Sequence, residues 1–407
     1  MKTIVFIGCN NFGTSKEALT IAKEMGYFIV LLTNKKNHMI NKCEFPDVDH
    51  FVFIKDILDE VKVIDELTLL KVTGKQICAC MSFVDPYVSY AAKLSEHLGL
   101  VQLSADSLYM MENKIRFREK LMGLSSSPFY VVFNYDQTVD QFVQRYKAFL
   151  PLILKPPASN GSKNVLLVDT TDKFKDGLKF LQKKDPIHPI LVEEYLLGPQ
   201  FLIEIIVHNN EMTVVGVIEQ EITTNDRFIV TGYQYPAMLT NEEYKNLVDA
   251  ITSIVDQIGL SNGSCHLEMR NVQGKWKLVE INPRMSGGAM NRIIEEGTGI
   301  NLIKEIIRMA LGEQPSLIES RKQHVYARYL TISSQGKLLK VTGKDQAMKH
   351  KGVKYVHIKP QEGSILIVPY SMGNRYACII AASESPDIAK TIAIAAAQEI
   401  KFYLELL

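Results

Sequence analysis

Residues 263–288 read GSCHLEMRNVQGKWKLVEINPRMSGG, two alternating stretches of apolar and polar residues on either side of Gln273 and Gly274. The spacing predicts two antiparallel strands joined by a tight turn. Glu268 and Glu280 lie at similar distances from that turn, so their carboxylates are expected opposite each other on one face of the ladder. Two buried carboxylates repel. They become stable neighbours with Mg²⁺ between them, since that ion takes few oxygen ligands from protein and leaves the others to water and substrate phosphates. Asn282 falls two residues after Glu280, on the same face, and Arg284 adds a guanidinium. Two acids, an amide and an arginine suit phosphoryl transfer, in which catalysis is mostly positioning and neutralisation of charge. The plain alternative is a surface hairpin with two solvated glutamates. Against it stand the alternation of HLEM and KLVEIN and the loop with Pro283, Ser286, Gly287 and Gly288 that follows, which is able to approach a ligand closely. His266 is assigned to the opposite face of its strand from Glu268, as a histidine packed in the core.

Upstream, the helical spacing of NLVDAITSIVDQIGL is preceded by two alternating strands, FLIEIIVHNN and MTVVGVIEQEI, expected as an antiparallel hairpin. Before them PILVEEYLLG runs as a strand into Glu193, Glu194 and Tyr195. Residues 149–168 read as another hairpin, FLPLILKPP and VLLV around the tip ASNGSKN. Backbone amides at that tip, freed by Gly161 and flanked by Ser159 and Ser162, suit anionic oxygens, and Lys155 and Lys163 add charge. A single helix is expected from Asp106 to Leu124, carrying Glu112, Asn113, Lys114 and Arg116.

The first hundred residues alternate TIVFIG, a turn at Cys9 to Gly13, a helix over Ser15 to Met25, YFIVLLT, DHFVFI, KQICACMSF and the helix AAKLSEHLGL. This is the pattern of an open parallel sheet. Gly8 and Gly13 do not complete a G-x-G-x-x-G fingerprint and are read as tight chain reversal. Loops at strand ends of such a sheet face the ligand crevice, which makes Asn10, Asn11, Ser82, Phe83, Asp85 and Tyr87 candidates for a substrate pocket. Asp85 with Pro86 is read as turn chemistry. Downstream, VYARYLTISSQGKL, KYVHIKP, SILIVP and YACIIAASES followed by a final helix read as a small α+β unit. The expected division is an α/β domain at 1–105, a small lobe with the phosphate-clamping hairpin at 106–198, and a larger lobe at 199–407 with the α+β unit at about 320–407.

With 407 residues, 46 basic against 45 acidic and a formal charge of +1, the chain has no overall electrostatic footprint for nucleic acid or an anionic membrane. No run approaches the roughly 20 apolar residues of a spanning helix, so a cytoplasmic protein is expected. Cys9, Cys43, Cys78, Cys80, Cys265 and Cys378 have neither redox nor metal spacing and are read as reduced thiols.

NKIRFREKL around Lys114, LILKP with Lys155, ASNGSKN, VEEYLLG, HLEM and VEINPRMSGG stand in an order and spacing that resembles the ATP-grasp superfamily over roughly residues 1–320. Within it, the compact N-terminal domain, VEINPRMSGG and the β-rich C-terminal region look most like the bacterial L-amino acid ligases that form dipeptides. The resemblance implies ATP and Mg²⁺, two ions with Mn²⁺ able to substitute, and amino acids as substrates, with no nucleic acid or membrane partner and a homodimer left open. By it, Lys114 and Lys155 contact the ATP phosphates, the loop with Ser159, Gly161 and Ser162 closes over them, and Glu193, Glu194, Tyr195 and Leu196 line the adenine slot. Glu204 reaches the nucleotide or an acceptor, while Glu268, Glu280 and Asn282 hold the metal. Arg284, with Lys155, acts on the transferred phosphoryl group, and Arg284, Gly287, Gly288 and Ser82 meet the substrate. Glu194 departs from the family, many of whose members carry a basic residue there. The implied reaction phosphorylates a carboxylate to an acyl phosphate that an amine then attacks. A biotin-carboxylase-like enzyme or another carboxylate–amine ATP-grasp ligase, and last a non-catalytic nucleotide-binding protein, are the alternatives.

Overall fold

Four short apolar runs near the N-terminus become strands β1 (Lys2–Ile7), β2 (Phe28–Thr33), β3 (His50–Phe53) and β4 (Gln76–Met81). This is seen in the computed structural model of the chain, which describes residues 1–101, 103–158, 161–223 and 228–406. They pair in parallel in the order β3-β2-β1-β4, as strands linked by crossover helices must. Val5 and Ile7 meet Val63, Leu67 and Leu94 of the helices Glu60–Val72 and Val88–His97 on one side. Ile4 and Phe6 face the main core on the other. Burial on both faces is why these strands read as continuous apolar runs.

The helix expected from Asp106 to Leu124 is instead two, Ala105–Met111 and Lys114–Lys120. Asn113 breaks it: its backbone is extended, and its side-chain oxygen accepts from the N–H groups of Ile115 (3.0 Å) and Arg116 (3.2 Å). An asparagine competes for the backbone in this way and favours a cap over a helix interior. The break also lets the Lys114 N–H donate to Pro157 O at 3.0 Å.

Strands β5 (Tyr130–Phe133), β6 (Leu152–Lys155), β7 (Leu166–Val168) and β8 (Ile190–Glu194) form an antiparallel sheet in the order β5-β8-β6-β7. The hairpin expected over 149–168 is present as β6 against β7, with Leu152 opposite Val168. Of its tip, Ser159 and Asn160 lie outside the described residues.

The largest sheet begins with β9 (Gln200–His208), β10 (Glu211–Thr223), β11 (Ile229–Tyr235), β12 (Gly263–Val272) and β13 (Lys275–Asn282). Both expected hairpins, β9 with β10 and β12 with β13, are antiparallel. β9 has no solvent face: Phe201, Ile203 and Ile205 pack under the helix Asn241–Ile258, while Leu202 and Ile206 join the main core.

The C-terminal strands are β14 (His324–Leu330), β15 (Gly336–Thr342), β16 (Val353–Ile358), β17 (Ile365–Leu366), β18 (Ala377–Ser383) and β19 (Lys401–Leu406). β14, β18 and β16 extend the large sheet, whose order is β13-β12-β9-β10-β11-β14-β18-β16, and β17-β15-β19 make a separate one. The chain does not end in a helix. After the helix Pro386–Glu399 it turns into β19, where Phe402 and Leu404 alternate onto the cluster of Leu338, Leu366 and Tyr376. Among the described residues no helix is long and apolar enough to cross a membrane, and the six cysteines are free.

Asn113 is therefore a hinge between two helices and the anchor of Lys114. Asn113→Ala is expected to cost about 1 kcal/mol, read as a lower denaturation midpoint in urea with an unchanged slope. No shift in the midpoint would show that the cap contributes nothing.

Candidate active site

Across β12 and β13 the register sets Glu268 directly opposite Glu280, and His266 opposite Asn282. The ladder slips between Glu268 and Met269, so that Met269 faces Leu278 and Val279 is the extra residue. Such a bulge restarts the in–out alternation. Leu278 thus enters the core, although it shares sequence parity with Glu280, which lines the cleft. The slip also frees the Val279 carbonyl, which accepts from Arg118 Nη2 (2.9 Å) and Lys155 Nζ (3.2 Å).

His266 does not point away from Glu268. Residues two apart in a strand share a face, and both line the cleft. Its Nδ1 donates to Arg284 O at 2.8 Å, which leaves Nε2 to accept from Asn282 Nδ2 at 3.2 Å. Burial, with Arg284 adding to it, pushes the imidazole down to about 4, so it stays neutral near pH 7. Asn282 Nδ2 also donates to Glu280 Oε1 at 3.2 Å. Its amide nitrogen is thus committed twice, which leaves the side-chain oxygen as the group not used by these two bonds.

The two glutamates differ in how readily they ionise. Burial, reinforced by Glu280, pushes Glu268 up to about 7. Burial opposes ionisation of Glu280 as well, yet Lys114, whose Nζ is 3.1 Å from Oε1, and Lys155 hold it below the usual carboxylate range. Gln200 Nε2 donates to Glu268 Oε2 at 3.0 Å. This donor set, two carboxylates in mutual repulsion and one amide oxygen, fits a hard divalent cation that keeps its other positions for phosphate and water.

Behind them lies a buried triad. Glu193 accepts from Arg118 Nε at 2.5 Å and pairs with Lys155 Nζ at 2.6 Å. Burial works against the charge on Glu193, but Arg118 and Lys155 outweigh it and lower its pKa. Burial lowers Lys155, with Glu193 countering. Glu193 lines the cleft, but its carboxylate fixes the lysine and is not free for a base. Arg118 was absent from the sequence-based site. It stands four residues after Lys114, one helical turn on, which was the available signal. Glu194 accepts from the Phe129 N–H at 2.9 Å, and Tyr195 and Leu196 line the same cleft.

Arg284 is held by Asp85, through Nε at 2.8 Å and through Nη2. Asp85 is therefore more than turn chemistry: it fixes and partly neutralises the site arginine. Glu204 does not border the cleft. It is wholly buried beneath the loop after Arg284, accepting from the Ser286 N–H at 2.9 Å. Ser82 is also displaced from its expected role, since its hydroxyl is spent on Ile7 O at 2.7 Å. Phe83 is core, Tyr87 accepts from Asn34, Asn11 meets His38 and Asn10 accepts from Lys35. None of these borders the cleft. The turn after β1 instead supports the glycine loop: Thr14 Oγ1 donates to Ser286 O at 2.9 Å, and a Cβ on Gly13 would come within 3.1 Å of Gly288 N.

These groups converge on one cleft of about 310 Å³, where Gly161, Ser162, Gly287 and Gly288 also sit. Met372 and Arg375, which no motif marked, close it from the C-terminal part, and the Met372 N–H donates to Gly161 O at 3.1 Å.

Three family models match the chain: the ATP-grasp N-terminal domain at residues 19–100, the ATP-grasp domain at 148–292 and L-amino acid ligase C-terminal domain 2 at 328–405. Over 269 residues the chain is 26% identical to dapdiamide A synthase of Enterobacter agglomerans, 63% of either protein. Over 334 residues it is 21% identical to the L-arginine-specific L-amino acid ligase of Bacillus subtilis, 78% of either. Against the first curated relatives the match spans only 52% and 63% of their own length. The crystal structure of an L-amino acid ligase from Bacillus licheniformis shares the fold, with a TM-score of 0.87 at 20% identity over 100% of this chain and 99% of that one.

Burial, the largest influence, raises Glu204 to about 8 against the pull of the Ser286 N–H and Arg284. The folded protein therefore binds a proton that the unfolded chain releases between pH 4.5 and 8, and stability contributed by this group falls as pH rises through that window. Glu204→Gln keeps an acceptor for Ser286 without the ionisation. Its stability relative to wild type is expected to improve by up to a few kcal/mol between pH 5 and 8.5, measured by urea unfolding. Parallel pH profiles for the two proteins would show that Glu204 is charged throughout.

Proposed function

The chain belongs to the ATP-grasp superfamily, an ATP-binding fold of carboxylate–amine ligases, and carries the C-terminal domain of the L-amino acid ligases; from this we propose that it joins two L-amino acids into a dipeptide at the expense of ATP. The observation that carries this reading is Glu268 opposite Glu280 on one face, with Lys114, Lys155 and Arg284 bordering the same cleft.

Lys114 and Lys155 offset the charge of a triphosphate, and the backbone at Gly161 and Ser162 supplies amide donors. Glu268, Glu280 and the oxygen of Asn282 would hold Mg²⁺, which offsets phosphate charge when bound. His266 orients Asn282, and the Glu193 triad keeps Lys155 extended toward the phosphates. A carboxylate oxygen of the first amino acid attacks the γ-phosphorus, the bond to the β-phosphate oxygen breaks, and ADP leaves. Arg284, positioned in advance by Asp85, stabilises charge developing on the transferred group. The amine of the second amino acid then attacks the carbonyl carbon of the acyl phosphate, phosphate leaves, and the amine loses a proton. No side-chain nucleophile is required. Cover from the segments around Gly161 and Met372 keeps water from the acyl phosphate.

ADP release from Mg·ATP, screened against single and paired amino acids, tests the proposal. A pair is expected to stimulate release and to give a product whose mass is the sum of the two less one water. Stimulation by bicarbonate with biotin alone would assign the site to carboxylation, and silence throughout would sink the ligase reading. Glu280→Gln is expected to lower turnover by about a hundredfold or more, the scale of losing a preorganised charge contact, with the melting temperature within a few degrees. Undiminished turnover would remove Glu280 from the site.

A further inference from the structure

Arg375 follows the turn Met372–Asn374 just ahead of β18 and borders the cleft beside Tyr233 and Met372. Its Nε donates to Met372 O at 3.3 Å, and its Nη1 donates to Val230 O at 3.2 Å and to the Tyr233 hydroxyl at 3.4 Å. The guanidinium lies over the Tyr329 ring, 3.9 Å from its centroid. All these partners are neutral. Arg118 answers to Glu193 and Arg284 to Asp85, but among the described residues no carboxylate pairs with Arg375, and no acceptor meets its Nη2. A second cation stands close by: Lys359 donates to Gly373 O at 2.6 Å, and its pKa is lowered by partial desolvation and by Arg375. A partly buried cation without a counter-charge favours an anion beside it, so the open edge of Arg375 is a place for one that enters with a ligand.

Position decides which anion. The charges felt by Glu268 and Glu280 come from Lys114 and Lys155, which mark the phosphate end of the cleft. Arg375 borders the glycine loop, the Tyr329 hydroxyl beneath it lying 3.5 Å from where a Cβ on Gly288 would be, and it reaches the Gly161 backbone only through Met372. The N–H groups left free are those of Nη2, which can donate charge-assisted hydrogen bonds to a carboxylate oxygen. We propose that Arg375 binds the free carboxylate of the amino acid that supplies the amine, and thereby restricts the second substrate to molecules carrying that group. This rests on the ligase reading. It adds that a simple amine or an amino acid amide is a poor acceptor, and that the product's new C-terminal carboxylate remains on Arg375 until release.

The test offers each productive acceptor as the free acid and as its amide, to wild type, R375K and R375M, and follows ADP release against acceptor concentration. Wild type is expected to prefer the acid in kcat/KM by roughly 10- to 100-fold, the scale of one charge-assisted pair. R375M should lose the preference through KM for the acid, and R375K should keep part of it, while KM for ATP stays within about twofold in both. Equal use of acid and amide by wild type overturns the assignment without touching the ligase reading. A rise in KM for ATP with the acid preference intact also overturns it, by moving the guanidinium to the phosphates. Failure of every pair to release ADP in wild type removes both proposals together. Should R375M not fold, the wild-type comparison and R375K decide.

Discussion

Glu268 and Glu280 are two carboxylates held side by side in a largely buried ladder, and much of the cleft is arranged around their repulsion. One of them is kept ionised by Lys114 and Lys155, while burial and the neighbour's charge push the other toward protonation. Such a pair is metastable without added positive charge. The surrounding lysines are themselves costly to bury, which explains the depth of the support behind them: Lys155 needs Glu193, Glu193 needs Arg118, and Arg118 ends on the Leu278 and Val279 carbonyls. Each charge is compensated by the next until backbone dipoles absorb the last. Truncating a middle member strands two cations where water cannot reach them, a loss larger than the net contribution of the intact set.

A single irregularity makes that chain of partners geometrically available. Were β13 regular from Lys275 to Asn282, Leu278 and Glu280 would share a face, and either an apolar side chain would enter the cleft or a carboxylate the core. The bulge at Val279 resolves this and exposes the one carbonyl that both Arg118 and Lys155 use. The strand pairing, the core and the charge network are therefore set by the same slip.

Much of the fold was legible wherever one period dominated: the both-faces-buried runs of β1 to β4, the hairpins β9 with β10 and β12 with β13, and the helix Asn241–Ile258 behind them. The nearness of the two glutamates was legible from their similar distances to the turn, but a two-residue turn in regular register would set Glu268 opposite Val279, and the slip at Val279 is what brings Glu280 across from it. What escaped was of two kinds. Local competition hid the break at Asn113, where an asparagine reads the same as any polar residue in a helical stretch, and hid β19, whose few residues follow a strongly apolar helix. Distance in sequence hid the rest. Asp85 finds Arg284 across 199 residues and Met372 finds Gly161 across more than 200, and no periodicity carries that information. His266 was open to a correct reading, since strand parity alone puts it beside Glu268.

The glycine loop from Ser286 to Gly288 shows how the separate sheets act as one site. Thr14 holds it from the start of the helix Thr14–Glu24, Glu204 from β9, Asp85 grips the arginine that precedes it, and Tyr329 of β14 stands over Gly288. Gly13 must lack a side chain because Gly288 comes so close, which gives the two-glycine turn a role that a nucleotide fingerprint would not. A loop tied to the N-terminal sheet, the central strands and the C-terminal unit cannot shift with any one of them alone. On the opposite wall β6 and β8 are tied to β13 through Lys155, Glu193 and Arg118, while the segment 370–375 meets the hairpin tip at Gly161 and Asn164. The rigid wall carries Arg284 and the carboxylates that require fixed geometry. The buried triad in turn keeps Lys155 of the opposite wall in register with those carboxylates.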